Sequence, residues 1–139
     1  MSKNATVGEM MTQNVIVANV NNKFSQFLEF FNIYRVHHMP VTLGDELVGI
    51  LSTTDLLSFI STNLLLGMPM DLASLDQKFN VYNAMTKKPV TLTPEDSIEN
   101  AISILADDKF QALPIVKDGK LVGIITNRDL MKLFPTLVN

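Results

Sequence analysis

The sequence contains no cysteine, which excludes disulfides, thiol nucleophiles and thiolate metal sites together. Histidine is nearly as scarce, and its two copies, His37 and His38, are adjacent. Neighbours on an extended segment point to opposite faces, so no metal site is expected. Basic residues are few, with 11 Lys and Arg against 14 Asp and Glu and a net charge of −3. A general nucleic-acid binder needs a positive surface for its phosphate contacts, and this balance disfavours one. No apolar run approaches the roughly 20 residues that cross a bilayer. The opening Met1-Ser2-Lys3-Asn4 lacks the charged-then-apolar order of a signal peptide. A cytoplasmic protein without membrane insertion is expected. Carboxylates are present, but no nucleophile, histidine base and oxyanion donor stand with them in order, so the chain is not expected to be an enzyme.

What the sequence does have is the same text twice. Residues 7–60 match residues 81–134 without a gap, each residue pairing with the one 74 positions later (Met11 with Met85, Pro40 with Pro114, Gly49 with Gly123, Asp55 with Asp129). Such repetition fixes architecture before any single motif does. At 139 residues and 47% hydrophobic content, one well-filled module is expected across the whole chain. Residues 61–80 serve as the linker between repeats. Neither half alone has enough chain to bury its hydrophobic face well.

Each repeat reads β-α-β-β-α. An extended run (Val15-Ile16-Val17; Val90-Thr91-Leu92) precedes a helix whose apolar residues fall at i, i+3, i+4 and i+7: Phe24, Phe27, Leu28, Phe31, then Ile98, Ala101, Ile102, Leu105. Thr93 and Pro94 predict the start of the second of these helices. Two strands and a tight turn follow, through Gly44-Asp45 in one repeat and Asp118-Gly119 in the other. The closing helices carry Leu56, Leu57 and Ile60, then Leu130, Met131 and Phe134. In the linker, a break at Gly67 and a short helix from near Pro69 are expected, with Leu64, Leu65, Leu66, Leu72 and Leu75 packed onto the body. The fold class is α+β, two like units packed through their sheets about a pseudo-twofold axis.

These residues resemble the paired cystathionine-β-synthase-type (CBS) regulatory domain, or Bateman module. The resemblance rests on Met-Thr before the first strand, on Met39-Pro40-Val41 and Leu113-Pro114-Ile115, and on the Gly-h-h-Ser/Thr-x-x-Asp ending of both hairpins. It implies two clefts that hold adenosine-containing ligands such as AMP, ADP, ATP, S-adenosylmethionine or NAD(H). One cleft would take Ile124, Thr126, Arg128 and Asp129, faced by Thr12, Ile16, Val36 and His37. Its counterpart would take Ile50, Ser52, Thr54 and Asp55, faced by Thr86, Val90, Phe110 and Gln111. The Asp would accept the ribose hydroxyls, and the Ser/Thr would meet phosphate at a helix start. Arg128 adds a cation that Thr54 cannot supply, so the Asp129 cleft is expected to be the better phosphate site.

The same spacing also fits a helix capping box, in which Ser52 or Thr126 caps the helix and Asp55 or Asp129 reaches back. That reading needs no ligand, and the two roles are compatible. The eight methionines suit core filling. Phe24, Phe27, Leu28, Phe30, Phe31, Ile33 and Tyr34 exceed what one buried helix face requires, and Ile104 repeats Phe30. A homodimer through these helices is expected, with a regulated protein partner that the sequence does not name. The rival expectation is a structural dimer without a ligand.

Overall fold

The computed structural model describes residues 5–107 and 109–133, so Phe134 and Met1-Ser2-Lys3-Asn4 lie outside the described residues. The chain divides into two compact units that do not coincide with the two repeats. One is Ile16–Lys88; the other joins the chain up to Val15 with the chain from Pro89 onward.

In the contiguous unit, β1 (Ala18–Asn19) runs parallel to β2 (His38–Leu43), which pairs antiparallel with β3 (Glu46–Ser52), and β4 (Thr86–Lys87) closes the far edge. The strand at each edge is short. The expected run Val15-Ile16-Val17 is not the paired segment; pairing begins at Ala18 with Val41. Pro40 stands one residue ahead of that partner, where its missing N–H breaks no parallel ladder. Helix α2 (Phe24–Tyr34) buries Phe24, Phe27 and Phe31, as its periodicity predicts, and leaves Ile33 and Tyr34 exposed. Helix α3 (Thr53–Leu65) turns Leu56 and Asn63 inward, and Gly67 at φ +67° follows it as the chain breaks. The next helix, α4 (Leu72–Lys78), starts later than Pro69. Asp71 is its cap, accepting hydrogen bonds from the Ser74 N–H at 3.1 Å and the Ser74 hydroxyl at 2.8 Å. Those bonds hold the Asp71 carboxyl below its ordinary value.

Of the five linker leucines, only Leu75 is buried; Leu64, Leu65, Leu66 and Leu72 are exposed. The inward face of α3 is defined by Leu56, Phe59, Ile60 and Asn63, and Leu64 and Leu65 fall off it. The linker is held instead by Asp76, whose two carboxylate oxygens accept from the Ser25 N–H and hydroxyl, each at 2.8 Å. Helix α5 (Val81–Ala84) then leads into β4.

The other unit repeats this sheet with the chain ends exchanged. Its hairpin is β5 (Ala112–Lys117) and β6 (Lys120–Thr126), and Asp118 and Gly119 both have positive φ, as a type I′ turn requires. Leu92 bridges Ile115 in parallel, and Thr12, from the opposite end of the chain, bridges Ile124 antiparallel. Thus β3 pairs with the entry of the second repeat and β6 with the entry of the first. Helix α1 (Val7–Met10) precedes Thr12, α6 (Ile98–Leu105) is the counterpart of α2, and α7 (Asn127–Met131) closes the unit.

Helix α6 begins at Ile98 under a Ser97 cap, four residues after Pro94. The cause is tertiary. The Ile98 N–H donates to Ala5 O at 3.1 Å, while Pro94 O and Asp96 O accept from Gly8 and Val7 at 2.9 and 2.8 Å. Carbonyls and N–H groups needed for an earlier helical turn are therefore engaged by the exchanged segment.

The two cores differ in kind. Phe24, Phe27, Phe59 and Phe79 form an aromatic cluster with ring centroids 5.0–5.7 Å apart. The other core has Ile98, Ala101, Leu133 and Ala5 at the corresponding repeat positions.

The exchange depends on two glycines. A Cβ on Gly49 would meet the Met85 sulfur and lie 2.8 Å from Thr86 O; one on Gly123 would meet the Met11 sulfur and lie 3.0 Å from Thr12 O. Gly49→Ala and Gly123→Ala should each destabilise the chain by about 1–3 kcal/mol. Urea denaturation measures this, and unchanged midpoints would show that neither entry segment is held closely.

Candidate functional site

Each hairpin ends where a helix begins, which places the Ser/Thr-x-x-Asp residues on the first turn of α3 or α7. At α7 the Asp129 N–H donates to Thr126 Oγ1 at 3.4 Å, and Asp129 Oδ2 accepts from the Thr126 N–H at 3.0 Å and its hydroxyl at 3.2 Å. At α3 the Asp55 N–H donates to Ser52 Oγ at 3.1 Å, and Asp55 Oδ2 accepts from the Ser52 N–H at 2.8 Å. Both capping boxes are formed. The first helical N–H groups are thereby partly satisfied, and each carboxylate is fixed in place.

The exchanged entry segment adds a further contact at Asp129. Because Thr12 bridges Ile124, its hydroxyl reaches the carboxylate and donates to Asp129 Oδ1 at 3.2 Å. Thr86 occupies the equivalent place opposite Ile50, yet no hydrogen bond joins it to Asp55. Arg128 is exposed on α7, and among the described residues it forms no ion pair; the ion pair found there is Lys117–Glu95 at 3.1 Å.

One unit thus gathers Thr12, Ile124, Thr126, Arg128 and Asp129, and the other gathers Ile50, Ser52, Thr54, Asp55 and Thr86. The remaining assigned residues fall in the opposite unit from the Asp they were assigned to face. Ile16, Val36 and His37 lie in the unit that contains Asp55, and Val90, Phe110 and Gln111 in the unit that contains Asp129. Backbone contacts make this concrete: His37 O accepts from the Thr53 N–H at 3.0 Å, and Gln111 O from the Asn127 N–H at 3.4 Å. No group of three or more His, Cys, Asp and Glu suited to a metal occurs among the described residues. No helix among them is long and apolar enough to cross a membrane.

A family model for the CBS domain matches the chain twice, over residues 7–62 and 81–136. The chain belongs to the CBS domain family. Two matches in tandem make it a CBS pair, with an α+β repeat on each side of the linker. Its relatives include the uncharacterized protein MJ1426 of Methanocaldococcus jannaschii, 29% identical over 141 residues that cover 84% of each chain. The chloroplastic CBS domain-containing protein CBSX2 of Arabidopsis thaliana is 31% identical over 153 residues, covering 91% of this chain and 62% of CBSX2. The crystal structure of CBSX2 in complex with AMP is similar at a TM-score of 0.78 and 28% identity, covering 97% of this chain and 99% of that one.

In this CBS pair the capping role of the motif has a measurable size. Ser52→Ala and Thr126→Ala should each cost about 0.5–2 kcal/mol in urea denaturation. Thr12→Val removes an exposed hydroxyl contact and should cost less than either. A Thr12 variant as unstable as the cap variants would overturn that ranking.

Proposed function

We propose that this CBS pair is a cytoplasmic regulatory module, not an enzyme, that binds an adenosine-containing nucleotide and signals its occupancy to a partner protein. AMP, ADP and ATP are the leading ligands, with S-adenosylmethionine and NAD(H) as further candidates. The observation that carries this reading is the Asp129 carboxylate held at a helix start beside Arg128, which has no ion-pair partner among the described residues. A carboxylate fixed by its own cap can accept a ribose diol, and a charged acceptor gives the stronger hydrogen bonds. An unpaired guanidinium can hold phosphate through two parallel bonds. Support also comes from CBSX2, whose crystal structure contains AMP.

Ile124, Thr126, Arg128 and Asp129, with Thr12, Ile16, Val36 and His37, are the residues assigned to the phosphate-bearing site. Ile50, Ser52, Thr54 and Asp55, with Thr86, Val90, Phe110 and Gln111, are assigned to the second. A ligand moves a regulatory equilibrium only as far as it prefers one conformation over another. A homodimer through the helices belongs to the same reading: α2 leaves Ile33 and Tyr34 at 60% and 50% exposure, and α6 leaves Ile102 at 40%.

A ligand at 100 times its Kd should stabilise the fold by about 2.7 kcal/mol, so a thermal-shift panel of the five ligand types tests the reading directly. Flat melts throughout would favour a structural dimer. Arg128→Ala should weaken ADP about tenfold, the scale of one charge-assisted hydrogen bond, and leave adenosine within about twofold; equal losses by calorimetry would remove the phosphate role. Light scattering should give twice the monomer mass, and a concentration-independent monomer would contradict the dimer.

A further inference from the structure

The contiguous unit contains a pocket of about 470 Å³ lined by α3 on one side and by the end of α4, the Asn80 cap and the end of α5 on the other. Asp55, Ser58, Phe59, Thr62 and Asn63 come from α3 at i, i+3, i+4, i+7 and i+8, a single face. At 1.5 Å per residue that face runs about 12 Å from Asp55 to Asn63. Lys78, Asn80 and Asn83 line the pocket from the linker side. The volume falls within the roughly 300–1,000 Å³ typical of small-molecule sites.

Asn63 is buried and donates its side-chain amide to Phe59 O at 2.8 Å, but the other polar groups of this lining are left largely open by the fold. Asp55 accepts one hydrogen bond, from the Ser52 N–H, whereas Asp129 accepts from the N–H and hydroxyl of Thr126 and from the hydroxyl of Thr12. An ionised carboxylate offers about four lone-pair sites, so Asp55 retains more of its capacity than Asp129 does. Lys78 lines the same pocket and makes no ion pair with Asp55 or with any other described residue. The hydroxyls of Ser58 and Thr62 and the amide of Asn83 have no side-chain hydrogen bonds within the described residues, and Asn80 uses only its Oδ1, toward the Tyr82 N–H at 3.0 Å. A carboxylate and an ammonium that share one pocket without pairing leave both charges available to a third party.

We propose that this pocket binds a phosphorylated polyol: its vicinal hydroxyls on Asp55, its phosphate on Lys78 with the Asn80 and Asn83 amides as further donors. The Asp55 site then takes its cation from the linker, which makes good the absence of an arginine at Thr54. This deepens the adenosine reading and rests on it for the diol at Asp55 alone; the linker contacts require a phosphate, whatever base the sugar carries. Phe59 and Ala84 give the pocket its apolar wall.

The test is an NMR titration of the ¹⁵N-labelled full chain with ribose 5-phosphate, AMP and adenosine, following the Asn80 and Asn83 side-chain amides and the Ser58 and Thr62 backbone amides. These signals should shift with both phosphorylated probes. Lys78→Gln should weaken both by about tenfold while leaving any adenosine response within about twofold, and Lys78→Arg should restore most of the loss. The spectrum of each variant reports whether it folds. If ribose 5-phosphate responds in this Lys78-dependent way and neither AMP nor adenosine does, the pocket stands and the adenosine reading of Asp55 fails. If AMP and adenosine bind but Lys78→Gln affects them equally, or the pocket amides stay still, the adenosine reading survives and the proposal falls. Silence with all three probes overturns it as well.

Discussion

The pairing of each hairpin with the entry segment of the other repeat is the constraint on which the rest of the structure depends. Thr12 bridges Ile124, and Thr86 pairs with Ile50, so each sheet is completed by chain from the opposite repeat. Main-chain approach at that distance leaves no room for a side chain at Gly49 or Gly123. The same approach carries the Thr12 hydroxyl to Asp129, joining a fold-level exchange to the capping carboxylate of α7. Ile98 also gives its N–H to Ala5 in this arrangement, which sets where α6 can begin.

On this shared backbone the two repeats have diverged in chemistry. One core clusters Phe24, Phe27, Phe59 and Phe79 in tilted and edge-to-face contacts, while the other has Ile98, Ala101, Leu133 and Ala5 in those places. Aromatic rings bring large apolar area and preferred edge-on contacts; the aliphatic set fills the corresponding space with smaller pieces. The capping boxes at Ser52 and Thr126 are alike, yet their surroundings differ. Asp129 has Arg128 beside it and Thr12 bonded to it. Asp55 has neither, and instead faces a polar pocket that includes Lys78 from the linker. Similar geometry has therefore been given two different sets of charges.

Much of this was legible in the sequence because the repeat displays it twice. The 74-residue offset identified both hairpins, both Ser/Thr-x-x-Asp turns and the helices between them. Asp118-Gly119 announced its turn through local chemistry, and Phe24, Phe27 and Phe31 announced a buried face by spacing alone. Helix starts were less accessible. Thr93-Pro94 looks like a beginning, but Val7 and Gly8 take the carbonyls of Asp96 and Pro94, an interaction spanning most of the chain. Asp71, by contrast, was a local cap signal, with Ser74 three residues on; attention to Pro69 alone passes over it. The leucines after Asn63 suggested burial by composition, whereas their angular position on α3 decided otherwise. Lys78 could not be tied to Asp55 beforehand, since the linker has no second copy to compare.

The exchange of chain ends also imposes an order on biosynthesis. The unit Ile16–Lys88 is continuous and can close while the ribosome is still adding later residues. Thr12 is made before that unit, whereas its bridging partner Ile124 is made after it. Thr12 therefore stays without that partner until Ile124 has been made, so the bridge between them forms after Ile16–Lys88 has been synthesised.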